Sequence, residues 1–160
     1  MNGPTTFSVR AATAHDLDAL AGLVAAFRDH LGQSRPDGAS IADSLRCLAR
    51  NPDTQLLLAV DADGERLGYA ALRFRFSLWV GGIEAQLDDL FVAATSRRSG
   101  VGRALVQAAV DAARARGAKI VGLNTNERNA DALRLYEASG FRAERTRWGG
   151  GRQLWLERET

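Results

Sequence analysis

The sequence predicts an α/β fold built on one mixed sheet: an antiparallel meander, then a βαβ core, then a C-terminal hairpin. Three observations carry that reading. Between residues 55 and 92, three strand-like runs follow one another, split by the turn dipeptides Asp63-Gly64 and Gly81-Gly82. Between residues 101 and 140, the rhythm changes to helix, strand, helix. Beyond residue 141, two strand-like runs flank Gly149-Gly150-Gly151. Hydrophobic residues make up 46% and charged residues 25% of the 160, enough to bury the core of one domain. No repeat, low-complexity segment or linker divides the chain, so residues 1–160 read as a single domain.

The elements follow in order. "FSVRAAT" (7–13) is a first strand. "AHDLDALAGLVAAFRDHL" (14–31) is a helix, with Leu17, Leu20, Ala21, Val24 and Phe27 along one face. "GQSRPDGAS" (32–40) is a loop broken by Pro36 and Gly38. "IADSLRCLAR" (41–50) is a second helix, ended at Asn51-Pro52 because a residue before proline avoids the helical region. "QLLLAVD" (55–61), "RLGYAALRFRFSLW" (66–79) and "IEAQLDDLFV" (83–92) are the meander. "VGRALVQAAVDAARARG" (101–117) carries Arg103, Gln107, Asp111 and Arg114 as one narrow polar stripe, so the rest of that helix is buried. Gly117 is its stop. "AKIVGLN" (118–124) is a strand and "NADALRLYEASG" (129–140) a helix closed by Gly140. "FRAERTRW" and "RQLWLER" form the last hairpin.

Several function classes drop out. A formal net charge of +2 is too small to argue for nucleic acid or a membrane surface. No run approaches a membrane span, and "MNGPTTFSV" lacks the basic and apolar regions of a signal peptide. The cytoplasm is the expected compartment. Cys47 is the sole cysteine, cannot form an intrachain disulfide, and reads as a small core residue. His15 and His30 lie far apart with no cysteine cluster, so no metal site is expected.

One stretch asks for a ligand. "TSRRSGVGRAL" (95–105) opens a buried helix with Gly100 and Gly102 and surrounds that end with Arg97, Arg98 and Arg103. Glycine is a poor helix former, and a helix N-terminus prefers acids. The unpaired N–H groups of a first helical turn, a close-approach glycine and nearby arginines together suit a bound phosphate. No Gly-Lys pair exists for a P-loop. Gly100-x-Gly102 also lacks the third glycine of a dinucleotide fingerprint, because position 105 is Leu.

"LDDLFVAATSRRSGVGRALVQAAVDAARARGA" resembles the core of the GCN5-related N-acetyltransferases (GNAT). Arg97, Gly100 and Gly102 match the family's [QR]-x-x-G-x-[GA] signature. "NERNADALRLYEASGF" is similar to a second family block through Asn129, Ala132, Leu135, Tyr136, Glu137, Gly140 and Phe141. Arg98 and Ala94 depart from the commoner Gly and Pro. The resemblance implies a GNAT-like fold and an acetyl-CoA-dependent N-acetyltransferase, with the acetyl-CoA in a splay between the fourth and fifth strands. It implies that the loop and first turn hold the pyrophosphate through Arg97, Arg98, Ser99, Gly100, Val101, Gly102, Arg103 and Ala104. Leu90, Phe91 and Val92 would border the pantetheine arm, and Asn129 and Tyr136 would flank the arm and thioester. Asn129, Leu133 and Tyr136 share one helix face by spacing.

The implied chemistry is acyl transfer to an amine, which needs a base for the amine and a proton for the leaving thiolate. Tyr136 matches the family's general acid. For the base, strict alternation puts Asp88 on a face with Glu84 and Gln86, and Asp89 with Ile83, Ala85, Leu87 and Phe91. A bulge, frequent in this strand of the family, would shift that facing. "LDDLFV" is similar to a stretch of small-amine and polyamine acetyltransferases whose first acid is the proposed base, which favours Asp88 with Asp89 second. Glu84, Asp88 and Asn124 are the candidate acceptor contacts, with the loop at 28–40, residues 74–79, Trp148 and the last hairpin shaping the pocket. The amine itself is open among polyamines, amino acids, aminoglycosides, peptide N-termini and protein lysines. The alternative is a domain that binds CoA as a sensor or scaffold without catalysis. Many relatives are homodimers, and the same is an expectation here.

Overall fold

The first half of the chain lays down a meander whose strands alternate sides. The computed structural model describes residues 6–143 and 156–158. Its sheet has five strands in the order β1-β2-β3-β4-β5. These are β1 (Phe7–Ala11), β2 (Thr54–Asp61), β3 (Arg66–Ser77), β4 (Gly82–Val92) and β5 (Ile120–Leu123). The first four are antiparallel neighbours, and β5 joins β4 in parallel. That parallel step needs a crossover, supplied by α3 (Val101–Ala115). α1 (Leu17–His30) and α2 (Gly38–Arg50) precede the meander, and α4 (Ala130–Ala138) follows β5.

The alternation sorts the core into two layers. Leu57, Ala59, Ala70, Leu72, Phe74, Ala85 and Leu87 meet Val101, Leu105, Ala109 and Ala113 of α3. On the other face, Leu56, Leu58, Tyr69, Ala71 and Phe91 meet Leu20 and Leu23 of α1 and Ile41 and Leu45 of α2. Arg103, Gln107, Asp111 and Arg114 form the exposed stripe of α3, as its spacing predicts.

Element ends differ from the sequence reading for local reasons. α1 starts at Leu17, not residue 14, after a 3-10 turn over Ala14–Asp16. Asp16 is buried there, accepts both Arg10 guanidinium nitrogens at 2.7 and 2.8 Å, and accepts the Thr13 N–H and hydroxyl. The Arg10 bonds, followed by the Thr13 bonds, hold its carboxyl far below the usual carboxylate range. α2 begins three residues early, at Gly38, because the Asp37 carboxylate accepts the Ser40 N–H and caps it. β3 stops at Ser77 rather than 79, since Ser77 already faces Gly82, the first residue of its partner strand. Cys47 is exposed, which corrects its reading as a core residue. α2 turns Ile41 and Leu45 to the sheet, and a residue two positions past Leu45 points the other way. No helix among the described residues is long and apolar enough to cross a membrane. The predicted hairpin segments and Trp148 lie outside the described residues, apart from residues 141–143 and 156–158.

Candidate active site

The site is built where β4 changes partners. β5 pairs with β4 from Glu84 to Leu87 and goes no further, while β4 runs on to Val92. The departure coincides with a bulge. Leu72 of β3 faces Leu87 and Ala71 faces Asp89, so Asp88 is an extra residue with no opposite number. The bulge flips the facing of everything after it. Leu90 and Val92 join Leu87 on the α3 side, while Phe91 packs with Tyr69 on the α1 side. The strict alternation reading is therefore corrected. Asp89 and Phe91 face away from Ile83, Ala85 and Leu87, because one inserted residue reverses a period of two.

The three acids of β4 meet three different environments. Glu84 is buried and accepts Arg75 Nη2 at 3.0 Å. Asp88 takes a two-pronged bond from Arg73, with Nε at 2.9 Å and Nη2 at 3.0 Å. Asp89 has no ion pair among the described residues; the buried Tyr69 hydroxyl donates to its Oδ2 at 3.5 Å. Burial, then the Asp88 charge, push the Asp89 carboxyl above its usual range, against the lowering effect of the Tyr69 bond. Tyr69 is itself driven far up by burial and then by the Asp89 charge. Phe91 anchors this corner, with Phe27 stacked at 5.2 Å, His30 at 6.3 Å and Tyr69 at 6.4 Å.

The glycine loop follows directly. A 3-10 turn over Ala94–Ser96 leads into Arg97. Arg97 Nε donates to the Val92 carbonyl at 3.2 Å, and its guanidinium lies 5.9 Å from the Phe91 ring centre. Its side chain therefore braces the end of β4. Arg98 and Gly100 are left-handed, with φ of 62° and 89°. Between them the Ser99 hydroxyl donates to the Ser96 carbonyl at 2.6 Å. Gly100 is the N-cap of α3 and makes no side-chain cap bond, and the first turn holds no acid. The Ala104 N–H closes the first helical bond on the Gly100 carbonyl at 3.0 Å. The N–H groups of Val101, Gly102 and Arg103 lie ahead of it, the orphan donors of a helix start. A Cβ at Gly102 would come within 3.3 Å of Leu135 Cδ2 and 3.6 Å of Val92 Cγ2. Gly102 thus also lets α4 approach the start of α3.

α4 supplies the other wall. Asn129 is its N-cap rather than its first helical residue, and its Oδ1 accepts the Ala132 N–H at 3.2 Å. Tyr136 is half-buried, with Phe141 edge-on at 5.9 Å. Burial pushes its hydroxyl above the usual range. The glycine loop and α4 thus meet at Val92, the parted end of β4.

Asn124 sits one residue past β5 and is exposed. Glu84 belongs to the doubly paired half of β4. Phe74 faces α3, with Arg116 stacked 3.9 Å over its ring, so it lies on the side away from Asp89. Phe76 and Leu78 are exposed near the β3–β4 turn. Sequence reasoning missed Tyr69, Arg73 and Arg75. The alternation in "RFRF" puts two arginines on one face, a usable signal for the pair. Nothing in the sequence sets Tyr69 apart from the rest of its strand.

A model of the acetyltransferase (GNAT) family matches residues 20–141, more than half of the chain. The chain belongs to the GNAT acetyltransferase family. Streptothricin acetyltransferase of Streptomyces lavendulae is 35% identical over 119 residues, which is 74% of this chain and 57% of that protein. The chain thus spans little more than half the length of that relative. Aminoglycoside N(6')-acetyltransferase type 1 of Klebsiella aerogenes is 36% identical over 114 residues, covering 66% of this chain and 74% of that one. Among solved structures, a putative acetyltransferase from Arthrobacter sp. FB24 superposes with a TM-score of 0.81 at 31% identity, over 100% of both chains. The five-stranded mixed sheet with its flanking helices is the fold of these GNAT neighbours.

Proposed function

We propose that this protein is an N-acetyltransferase that moves the acetyl group of acetyl-CoA directly to a primary amine of a small molecule or peptide. One observation carries the reading: β5 leaves β4 at the Asp88 bulge, beside an uncapped helix start. The parted strand offers backbone groups to an extended arm, as an added strand would use them. The helix start offers N–H donors to an anion.

These residues fit acetyl-CoA. The N–H groups of residues 98–103, with Ala104 behind them, would hold its pyrophosphate. The open space at Gly100, whose added Cβ would meet nothing within 4 Å, suits that approach. Arg97 supports the cradle by bracing Val92. Leu90, Phe91 and Val92 would border the pantetheine arm, with Asn129 and Tyr136 opposite. Acetyl-CoA supplies the acyl carbon and a thiolate leaving group. The protein handles the two protons. The acid on β4 takes the proton that the attacking amine sheds, and the Tyr136 hydroxyl donates one to the departing sulfur. Asp88 and Asp89 both stand at the bulge. The Arg73 fork on Asp88 favours Asp89 as the base. The relatives act, by name, on streptothricin and on aminoglycosides, which supports a small amine acceptor.

The test is an amine panel. The protein is incubated with acetyl-CoA and a polyamine, an aminoglycoside, an amino acid or a short peptide, and free thiol is measured. Thiol release that rises with one amine class is the expected result. Release that no amine stimulates overturns the reading. Tyr136→Phe is expected to slow turnover by about 10- to 100-fold while CoA affinity, read by calorimetry, stays within about threefold.

A further inference from the structure

We infer that Tyr69 is a positioning residue of this site: its buried hydroxyl holds Asp89 Oδ2 and so presents Oδ1 to the acceptor amine. The inference rests on the acetyltransferase reading and deepens it. Three observations carry it.

The first is register. Tyr69 faces Phe91 across the β3–β4 ladder, and Ala71 faces Asp89. Tyr69 and Asp89 are therefore diagonal neighbours, within reach of an aromatic side chain. The small Ala71 leaves the path between them open. Without the bulge at Asp88, the residue in that diagonal place would be a different one.

The second is chemistry. Tyr69 is only 1% exposed, among the largest fully buried side chains of the described residues. Packing alone asks for a phenyl ring there, as Phe27 and Phe91 show beside it. A buried hydroxyl costs free energy unless it is bonded. Asp89 Oδ2, at 3.5 Å, is the partner that answers for it.

The third is the contrast with Asp88. Both oxygens of Asp88 accept Arg73 nitrogens. Tyr69 engages one oxygen of Asp89 and makes no cation pair with it. A neutral donor orients a carboxylate without removing its capacity to take a proton. Asp88 precedes Asp89 on β4, with Arg73 of β3 on the former; His30 of α1 and Arg97 of the loop flank Phe91.

The experiment reads the Asp89 carboxyl directly. Aspartate labelled with carbon-13 is titrated by NMR in the full chain, wild type and Tyr69→Phe, with Asp89→Asn assigning the signal. The pH profile of amine-driven thiol release is measured in parallel. Tyr69→Phe is expected to move the Asp89 titration and the acid limb of the profile upward together, by about one pH unit. Incorporating 3-fluorotyrosine strengthens the phenol as a donor and keeps the fold testable if the Phe variant does not fold. The chain has only two tyrosines, so the two fluorine signals are separated by Tyr136→Phe. That replacement is expected to move the same titration downward. A titration and a limb that neither replacement moves overturn the inference and leave the acetyltransferase reading intact. A coupled titration in a chain that releases no thiol with any amine overturns the acetyltransferase reading, and with it the role of Asp89 toward an acceptor.

Discussion

Residues 84–87 of β4 are hydrogen-bonded on both sides, to β3 and to β5; residues 89–92 keep β3 and lose β5. The same strand is thus framework along one half and an edge parted from β5 along the other. The acids follow that division. Glu84, in the framework half, is buried against Arg75. Asp89, in the parted half, is half-buried with a neutral donor in place of a cation. The difference teaches that a carboxylate near a site is not enough. What its β3 neighbours donate decides whether it is available for a proton.

The largest effect expected from breaking this division comes from inserting one residue between Asp89 and Leu90. The insertion shifts the rest of β4 by one place, and a one-residue slip turns every later side chain to the opposite face. Leu90 and Val92 would leave the α3 core and Phe91 would enter it. CoA binding by calorimetry should fall below detection, with a large drop in melting temperature. An insertion variant that binds CoA normally would break the comparison.

Next come the two adjacent acids. Asp89→Asn is expected to lower kcat/KM by about 100-fold or more, and Asp88→Asn by less than about fivefold. The reverse order would make Asp88 the base. The pH dependence has a defined sign. Burial raises the Asp89 carboxyl, so it becomes protonated, and inactive as a base, at a pH above the ordinary carboxylate range. A raised native pKa also means that the charged Asp89 disfavours folding above its unfolded pKa. That penalty is absent at low pH and grows as pH rises through the shifted window. Asp89→Asn should therefore raise the melting temperature at neutral pH while it removes activity.

The smallest effect on activity belongs to the framework half. Leu87 is 3% exposed, packs in the α3 layer and pairs on both sides. Leu87→Ala should cost about 2–4 kcal/mol in urea unfolding. Turnover of the folded fraction should stay within about twofold. A Leu87→Ala enzyme that keeps its stability but loses turnover would move the boundary between the halves toward the amino end.

Much of this was legible along the chain. Strand-like runs split by the turn dipeptides Asp63-Gly64 and Gly81-Gly82 located β2, β3 and β4, and the polar stripe of α3 told which of its faces is buried. The glycine loop stood out because two glycines and three arginines contradict the rules for an ordinary helix start. The choice between Asp88 and Asp89 was not legible. Both are acids in one apolar strand, and strict alternation gave Asp89 the wrong face. Tyr69 was silent for the same reason, since its partner lies 20 residues away in sequence.

Periodicity, turns and caps are short-range properties, set by backbone sterics and by side chains a few positions apart, so reading the chain recovers them. Register across β3 and β4, the point where β5 departs, and the donor each acid receives depend on residues far apart. They are settled when α1 and α3 compete to cover opposite faces of one sheet. That competition places Leu90 and Val92 under α3 and Phe91 under α1, and the extra residue needed to satisfy both is Asp88.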